Sequence, residues 1–183
     1  MATPPVFSAG AVLTAAQMNA VGLWKIAGAS FTAVNTIDIT GFSSDYEYFQ
    51  LVLKAQRVDA VGSTTLSGQL YSGATQRATA YYGSTFYTNY LAASGNNSAD
   101  NNATSFYFCT ADSGSLNIVT SEMRGMTSGN FCGTVQQWES GAARSIFGGF
   151  FHNVSETNDK IRLTATSTNT VTGNWRLYGY REP

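Results

Sequence analysis

Residues 46–56 read Tyr46-Glu47-Tyr48-Phe49-Gln50-Leu51-Val52-Leu53-Lys54-Ala55-Gln56. Phe49, Leu51, Leu53 and Ala55 alternate with Tyr48, Gln50, Val52 and Lys54. Successive side chains on a strand point to opposite faces, so the pattern makes one apolar face and one mixed face. At about 3.3 Å per residue, eleven residues reach roughly 36 Å, which is long for a strand. Such a strand needs partners on both sides and a second layer over its apolar face.

Composition points the same way. The chain has 183 residues, enough for one domain and an arm. Hydrophobic residues make up 43%, sufficient for a core without disulfides, while charged residues are only 11%. A typical soluble domain carries about 25% charged residues. Thr (22), Ser (19) and Asn (13) fill the gap. Thr and the aromatics favour strands, so the expectation is an all-β protein. A polar surface this weakly charged also fits burial in an assembly.

Formal net charge is −1 and no basic run exists, which sets nucleic acid aside as a partner. No apolar run approaches the ~18 residues of a membrane helix, so no membrane is expected either. The start, MATPPVFSAG, has no basic segment ahead of an apolar one. A signal peptide is therefore not expected, and synthesis in a cytoplasm is. Cys109 and Cys132 are the only cysteines. Each sits beside a phenylalanine, and buried free thiols fit that compartment better than a disulfide.

Residues 1–22 differ from everything after them. Pro4 and Pro5 impose extended backbone. Thr14 with Gln17 three residues on matches a capping box, with Leu13 placed to staple against Met18. Gly22 would end this helix after about two turns, too short to be stable alone. It must dock on something. The expectation is an N-terminal extended arm with one short helix (1–22), followed by a β-sandwich domain (23–183).

This start, aromatic-x-x-Gly and then Leu-Thr-Ala-Ala-x-x-Asn, resembles the N-terminus of many tailed-bacteriophage virion proteins. Phe7, Gly10, Leu13, Thr14, Ala15, Ala16 and Asn19 carry the likeness. The closing stretch Leu177-Tyr178-Gly179-Tyr180 is similar to the last strand of phage jelly-roll proteins. The resemblance implies a fibre, appendage or capsid decoration protein, made in a bacterial host and located in the virion. It also implies three-fold closure, hence a homotrimer. The arm, through Phe7, Gly10, Leu13, Thr14, Gln17 and Met18, would anchor the protein to other virion proteins.

From residue 23 on, strand patterns follow one another at 8–14-residue spacing, separated by turn signals such as Val61-Gly62-Ser63. Such short connections call for antiparallel sheets, and about ten strands suggest a two-sheet sandwich, jelly-roll-like. Ser94–Asn102, polar and aperiodic, reads as a loop. Residues 81–92 carry aromatics on both faces and are expected to be covered on both.

Chemistry is hard to find. His152 is the single histidine and lacks the partners of a zinc site or a triad, so it reads as a surface or interface residue. Asp38, Asp45, Glu47, Asp59, Glu122, Glu139, Glu156 and Asp159 include no pair that spacing selects for glycoside hydrolysis. No Gly-rich loop opens a helix, so no nucleotide is expected. No catalytic, metal or cofactor residue is therefore assigned, and the expectation is a non-enzymatic structural protein. Tyr82, Phe86, Tyr90 and Trp138 are the candidates for a subunit interface or for contact with a host surface glycan. The alternative reading is a carbohydrate-binding receptor-recognition module of a fibre.

Overall fold

The computed structural model describes Gly10 and residues 24–89, 94–139 and 144–180. Thirteen strands run through them: β1 (Trp24–Val34), β2 (Thr36–Thr40), β3 (Tyr48–Arg57), β4 (Ser63–Ser72), β5 (Thr75–Gln76), β6 (Tyr81–Asn89), β7 (Ser94–Ala103), β8 (Phe106–Asp112), β9 (Asn117–Arg124), β10 (Asn130–Glu139), β11 (Arg144–Ser155), β12 (Lys160–Ala165) and β13 (Val171–Tyr180). No helix occurs among the described residues. The helix expected from Thr14 lies outside them, as do Phe7, Leu13, Gln17 and Met18. Gly10 is an exposed turn residue with φ +84°.

The strands form two antiparallel sheets. The larger has the order β1-β13-β3-β9-β10-β11-β6-β7; the smaller is β2-β12-β4 with β5 and β8 both on the far side of β4. Four pairings nest inside one another along the chain: β1 with β13, β2 with β12, β3 with β9, and β4 with β8. Two hairpins are inserted into that nest, β6–β7 and β10–β11, and they widen only the larger sheet.

Strand β3 behaves as its alternation requires. Phe49, Leu51, Leu53 and Ala55 are buried, while Tyr48, Gln50, Val52 and Lys54 are half-buried on the outer face. Opposite them across the sandwich lie Leu66 and Leu70 of β4 and Ile161 and Leu163 of β12. Under the inserted hairpins the core turns aromatic. Phe150 stacks on Phe106 at 4.4 Å and on Phe131 at 5.3 Å, and Tyr81 lies 5.6 Å from Phe106. Glycines make room for these rings: a Cβ on Gly133 would sit 2.6 Å from the Phe150 ring. Gly125, at φ +76°, turns β9 into β10 where a side chain would strike the Asn130 carbonyl.

Two expectations need correction. Residues 94–102 are not a loop but most of β7, paired with β6 from Tyr81↔Ala103 to Asn89↔Ser94, with one shift of register between Tyr81 and Gly83. Its side chains are polar because the strand is the sheet's edge; backbone pairing with β6 holds it, joined by Asn102, whose side chain accepts from the Ala80 amide at 3.2 Å. Residues 81–89 are not covered on both faces either. Tyr81 is buried inward, but Phe86 on the outer face is 50% exposed.

Candidate functional site

Antiparallel register places directly opposed residues on the same face, so side chains on the outer face of the larger sheet fall into rows that cross the strands. One row runs Tyr82, Phe151, Cys132, Arg124, Tyr48, Tyr180, over β6, β11, β10, β9, β3 and β13. Tyr48 and Tyr180 stack with centroids 4.8 Å apart and planes 8° from parallel. Tyr82 and Phe151 are 6.5 Å apart at the other end. Between the two pairs, Arg124 Nε donates to Cys132 Sγ at 3.2 Å.

Two residues further along each strand, the next row reads Ser84, Gly149, Thr134, Glu122, Gln50. These side chains are short, absent or polar. The third row returns to bulk with Phe86 opposite Phe147, followed by Gln136, Thr120 and Val52. The short-floored row therefore makes a furrow across five strands, about 19 Å long, with about 13 Å of backbone between the rows that flank it; aromatic rings stand on both sides of it at β6 and β11. Its β9–β3 end deepens into a cleft of about 420 Å³ that includes Glu122, Arg124, Thr134 and the stacked tyrosines. A second cleft of about 370 Å³ continues from Tyr48 and Arg124 toward Ser44, Glu47 and Ser128.

In a fourth row, Trp138 stands opposite Ile118. They are 63% and 42% exposed, beside Phe147 at 43%. Of the aromatics singled out from the sequence, Tyr82 and Phe86 thus line the furrow and Trp138 stands one row beyond it. Tyr90 lies outside the described residues. Phe151, Phe147, Tyr48 and Tyr180 were missed. Their membership depends on register between strands distant in sequence, although Phe147 and Phe151 do share a strand face at a period of two.

The groups most often found in catalysis are placed otherwise. His152 is not a surface residue: it is 1% exposed, with its ring 4.8 Å from that of Tyr81. It points inward from β11 because its neighbour Phe151 takes the outer face. Burial pushes its pKa down, and Glu156, 4.0 Å away, pulls the other way. Glu156 is itself held by Arg77 at 2.8 Å. Asp38 takes a two-pronged contact from Arg162 (2.7 and 2.8 Å), and that hydrogen bond holds its carboxyl below the usual range despite partial burial. Asp59 pairs with Arg57, Asp159 accepts from the Gly73 amide, and Asp45 accepts from Ser43. Glu47 and Glu122 are exposed on the outer side, and the Glu139 side chain lies outside the description.

Both cysteines are free, but they differ in setting. Cys109 is buried, and burial pushes its thiol far up. Cys132 is half-buried on the outer face instead of in the core, because its strand neighbours Phe131 and Gly133 take the inward positions. Among the described residues, no group of three His, Cys, Asp or Glu is placed to hold a metal ion. What the arrangement can do is bind: it offers aromatic walls, a hydroxyl-bearing floor and one carboxylate. No protein-family model and no curated protein sequence matches this chain.

Proposed function

We propose that the chain is a non-enzymatic structural component of a bacteriophage particle, a jelly-roll sandwich that works by assembly. The nested pairing of first strand with last, second with second-last and so inward is the order of a jelly roll with two hairpins inserted, which supports the fold reading. Fold alone does not assign a role, so the weight rests on surface. The observation that carries the assembly reading is the outward pair Trp138 and Ile118, large apolar side chains standing together on a sheet face with nothing in the described chain over them. The virion setting is supported by the resemblance of residues 7–19, which would act as the anchor to other virion proteins. In this reading the protein is a homo-oligomer, a trimer by the same resemblance, serving as a tail or neck appendage or as a capsid decoration.

Light scattering on the purified chain tests self-assembly. The expected result is a species three times the 19.6 kDa of one chain. A single-chain mass that persists at high concentration overturns assembly, and a dimer or pentamer overturns only the trimer. Deleting residues 1–22 is expected to leave a folded β protein that no longer enters particles; normal incorporation would remove the anchor from the proposal.

A further inference from the structure

The furrow carries an inference that is independent of the virion setting. We infer that it is a binding site for a linear, uncharged oligosaccharide, laid across strands β6, β11, β10, β9 and β3.

The ligand class follows from what the furrow can recognise. Every strand beneath it has a neighbour on both sides, so its backbone amides and carbonyls are committed to the ladders. A peptide recognised by strand addition needs a free edge, and this surface presents none. Recognition falls to side chains alone. The walls offer the rings of Tyr82 and Phe151 on one side and of Phe86 and Phe147 on the other. The floor offers the hydroxyls of Ser84 and Thr134 and the carboxylate of Glu122, all three solvent-facing. A pyranose has the complementary pattern, with apolar C–H faces to lie against rings and a rim of hydroxyls to meet short polar groups.

Shape and charge narrow the choice further. Gly149 leaves the floor open at mid-furrow: a Cβ built there would meet nothing closer than the Gly133 carbonyl at 3.6 Å. Every floor residue from Ser84 to Gln50 is exposed or half-exposed, which suits a chain of sugars better than a single ring. Its floor bears one charge, that of Glu122, and the neighbouring Arg124 offsets it while its Nε is turned to Cys132. An acidic glycan would place its carboxylates against Glu122, whereas a neutral one gains an acceptor for its hydroxyls.

The test is calorimetry on the full chain with hexasaccharides of known structure: cellohexaose, maltohexaose, chitohexaose and mannohexaose, with hexagalacturonate as the acidic counterpart. At least one neutral hexasaccharide is expected to bind with Kd of about 1 mM or tighter. Tyr82→Ala and Phe147→Ala should each weaken it at least about fivefold, and Gly149→Leu, which fills the floor, should abolish it. Circular dichroism checks that each variant is folded; should Gly149→Leu fail, the two alanine variants still decide. No binding of any neutral probe at about 10 mM overturns the inference. So does affinity unchanged by the wall variants, or binding of hexagalacturonate alone. The Trp138→Ser chain is expected to keep the affinity, so loss of assembly and loss of the sugar site register separately.

Discussion

The two sheets turn opposite kinds of surface to the outside. On the smaller sheet, Asp38 of β2 is gripped by Arg162 and Lys160 of β12, and both cations lie over the ring of Tyr71 on β4, at 5.0 and 4.6 Å. Gln69 and Tyr107, large side chains also there, are half-buried and hydrogen-bonded to Thr104 and Thr110. On the larger sheet the outer face carries Phe86, Phe147, Trp138 and Ile118, all more than 40% exposed. Both sheets contribute their inner faces to the one apolar core, so the demands of folding do not explain the difference. The exposed face belongs largely to the inserted hairpins, which widen only the larger sheet. The nested eight strands make the fold, and the additions to it make the surface.

The largest effect is expected when charge is moved between the faces of one strand. Leu51→Asp puts a carboxylate where exposure is zero and no partner waits. The cost should be about 4 kcal/mol or more, a large share of the roughly 5–15 kcal/mol that holds an ordinary domain together. Gln50→Lys, one residue away on the outer face, should change stability by no more than about 0.5 kcal/mol. Urea denaturation of the two variants measures both. Equal losses would mean that β3 does not separate an inner from an outer face.

A smaller loss is expected where the two sheets meet. Strand β8 is the edge of the smaller sheet, and the larger sheet closes that edge with two side chains, Gln137 and Asn117. Gln137 of β10 accepts from the Thr110 amide (2.9 Å) and donates to the Thr110 carbonyl (2.7 Å), as a neighbouring strand would. Asn117 adds a third hydrogen bond at 3.2 Å. Gln137→Leu keeps the volume and removes both main-chain partners, which should cost about 1–3 kcal/mol in denaturant midpoint. Hydrogen exchange at the Thr110 amide should rise with it. An unaltered midpoint would show that water serves this edge as well.

Acid sharpens the contrast on the charged side. Asp38 has its folded pKa lowered, chiefly by Arg162, so its stabilisation is present above the unfolded value near 3.8 and is lost as pH falls through the lower folded value. The carboxyl is more than a third exposed, which limits the effect to below about 1 kcal/mol. His152 acts in a different window. Its folded pKa is lowered by burial, so the unfolded chain takes up the proton more readily and stability falls as pH drops below 6.5. Melting curves should decline first with His152 and again below pH 4. Asp38→Asn should lessen only the second decline, to which Asp59, its carboxyl also held down by Arg57, contributes as well, and His152→Phe should remove only the first. A single decline in the wild type would contradict the assignment.

Legibility in the sequence followed the same division. The faces of β3 were readable because a period of two over ten residues is a property of one segment. Residues 94–102 show no strand pattern because it is chiefly the backbone of β6 that holds them, which does not require alternating apolar side chains. Burial of His152 depends on Tyr81 and the smaller sheet, and the furrow depends on the register of β6, β11, β10, β9 and β3. Ser84 and Gln50, far apart in the chain, become two ends of one floor only after five strands are aligned. Periodicity reports a strand's faces; it does not report its neighbours.

The smallest effect on stability is expected at the residues that look most out of place. Trp138 and Ile118 are exposed in the single chain, so replacing both with serine removes little buried area on folding. The midpoint of unfolding, compared in denaturant that already separates the subunits, should move by no more than about 0.5 kcal/mol. Association is another matter. A contact between copies gathers its free energy at a few large side chains near its centre, and tryptophan is prominent among them. If this pair is the centre, the double variant should sediment as a single 19.6 kDa chain at concentrations where the wild type is assembled. The same double serine at Val58 and Val61, also exposed but on the turn between β3 and β4, should leave assembly intact. Should the Trp138 and Ile118 variant assemble as before, the apolar face is not the one on which the copies meet. Should it unfold instead, the pair belongs to the core of the single chain, and the contrast between the two outer faces fails.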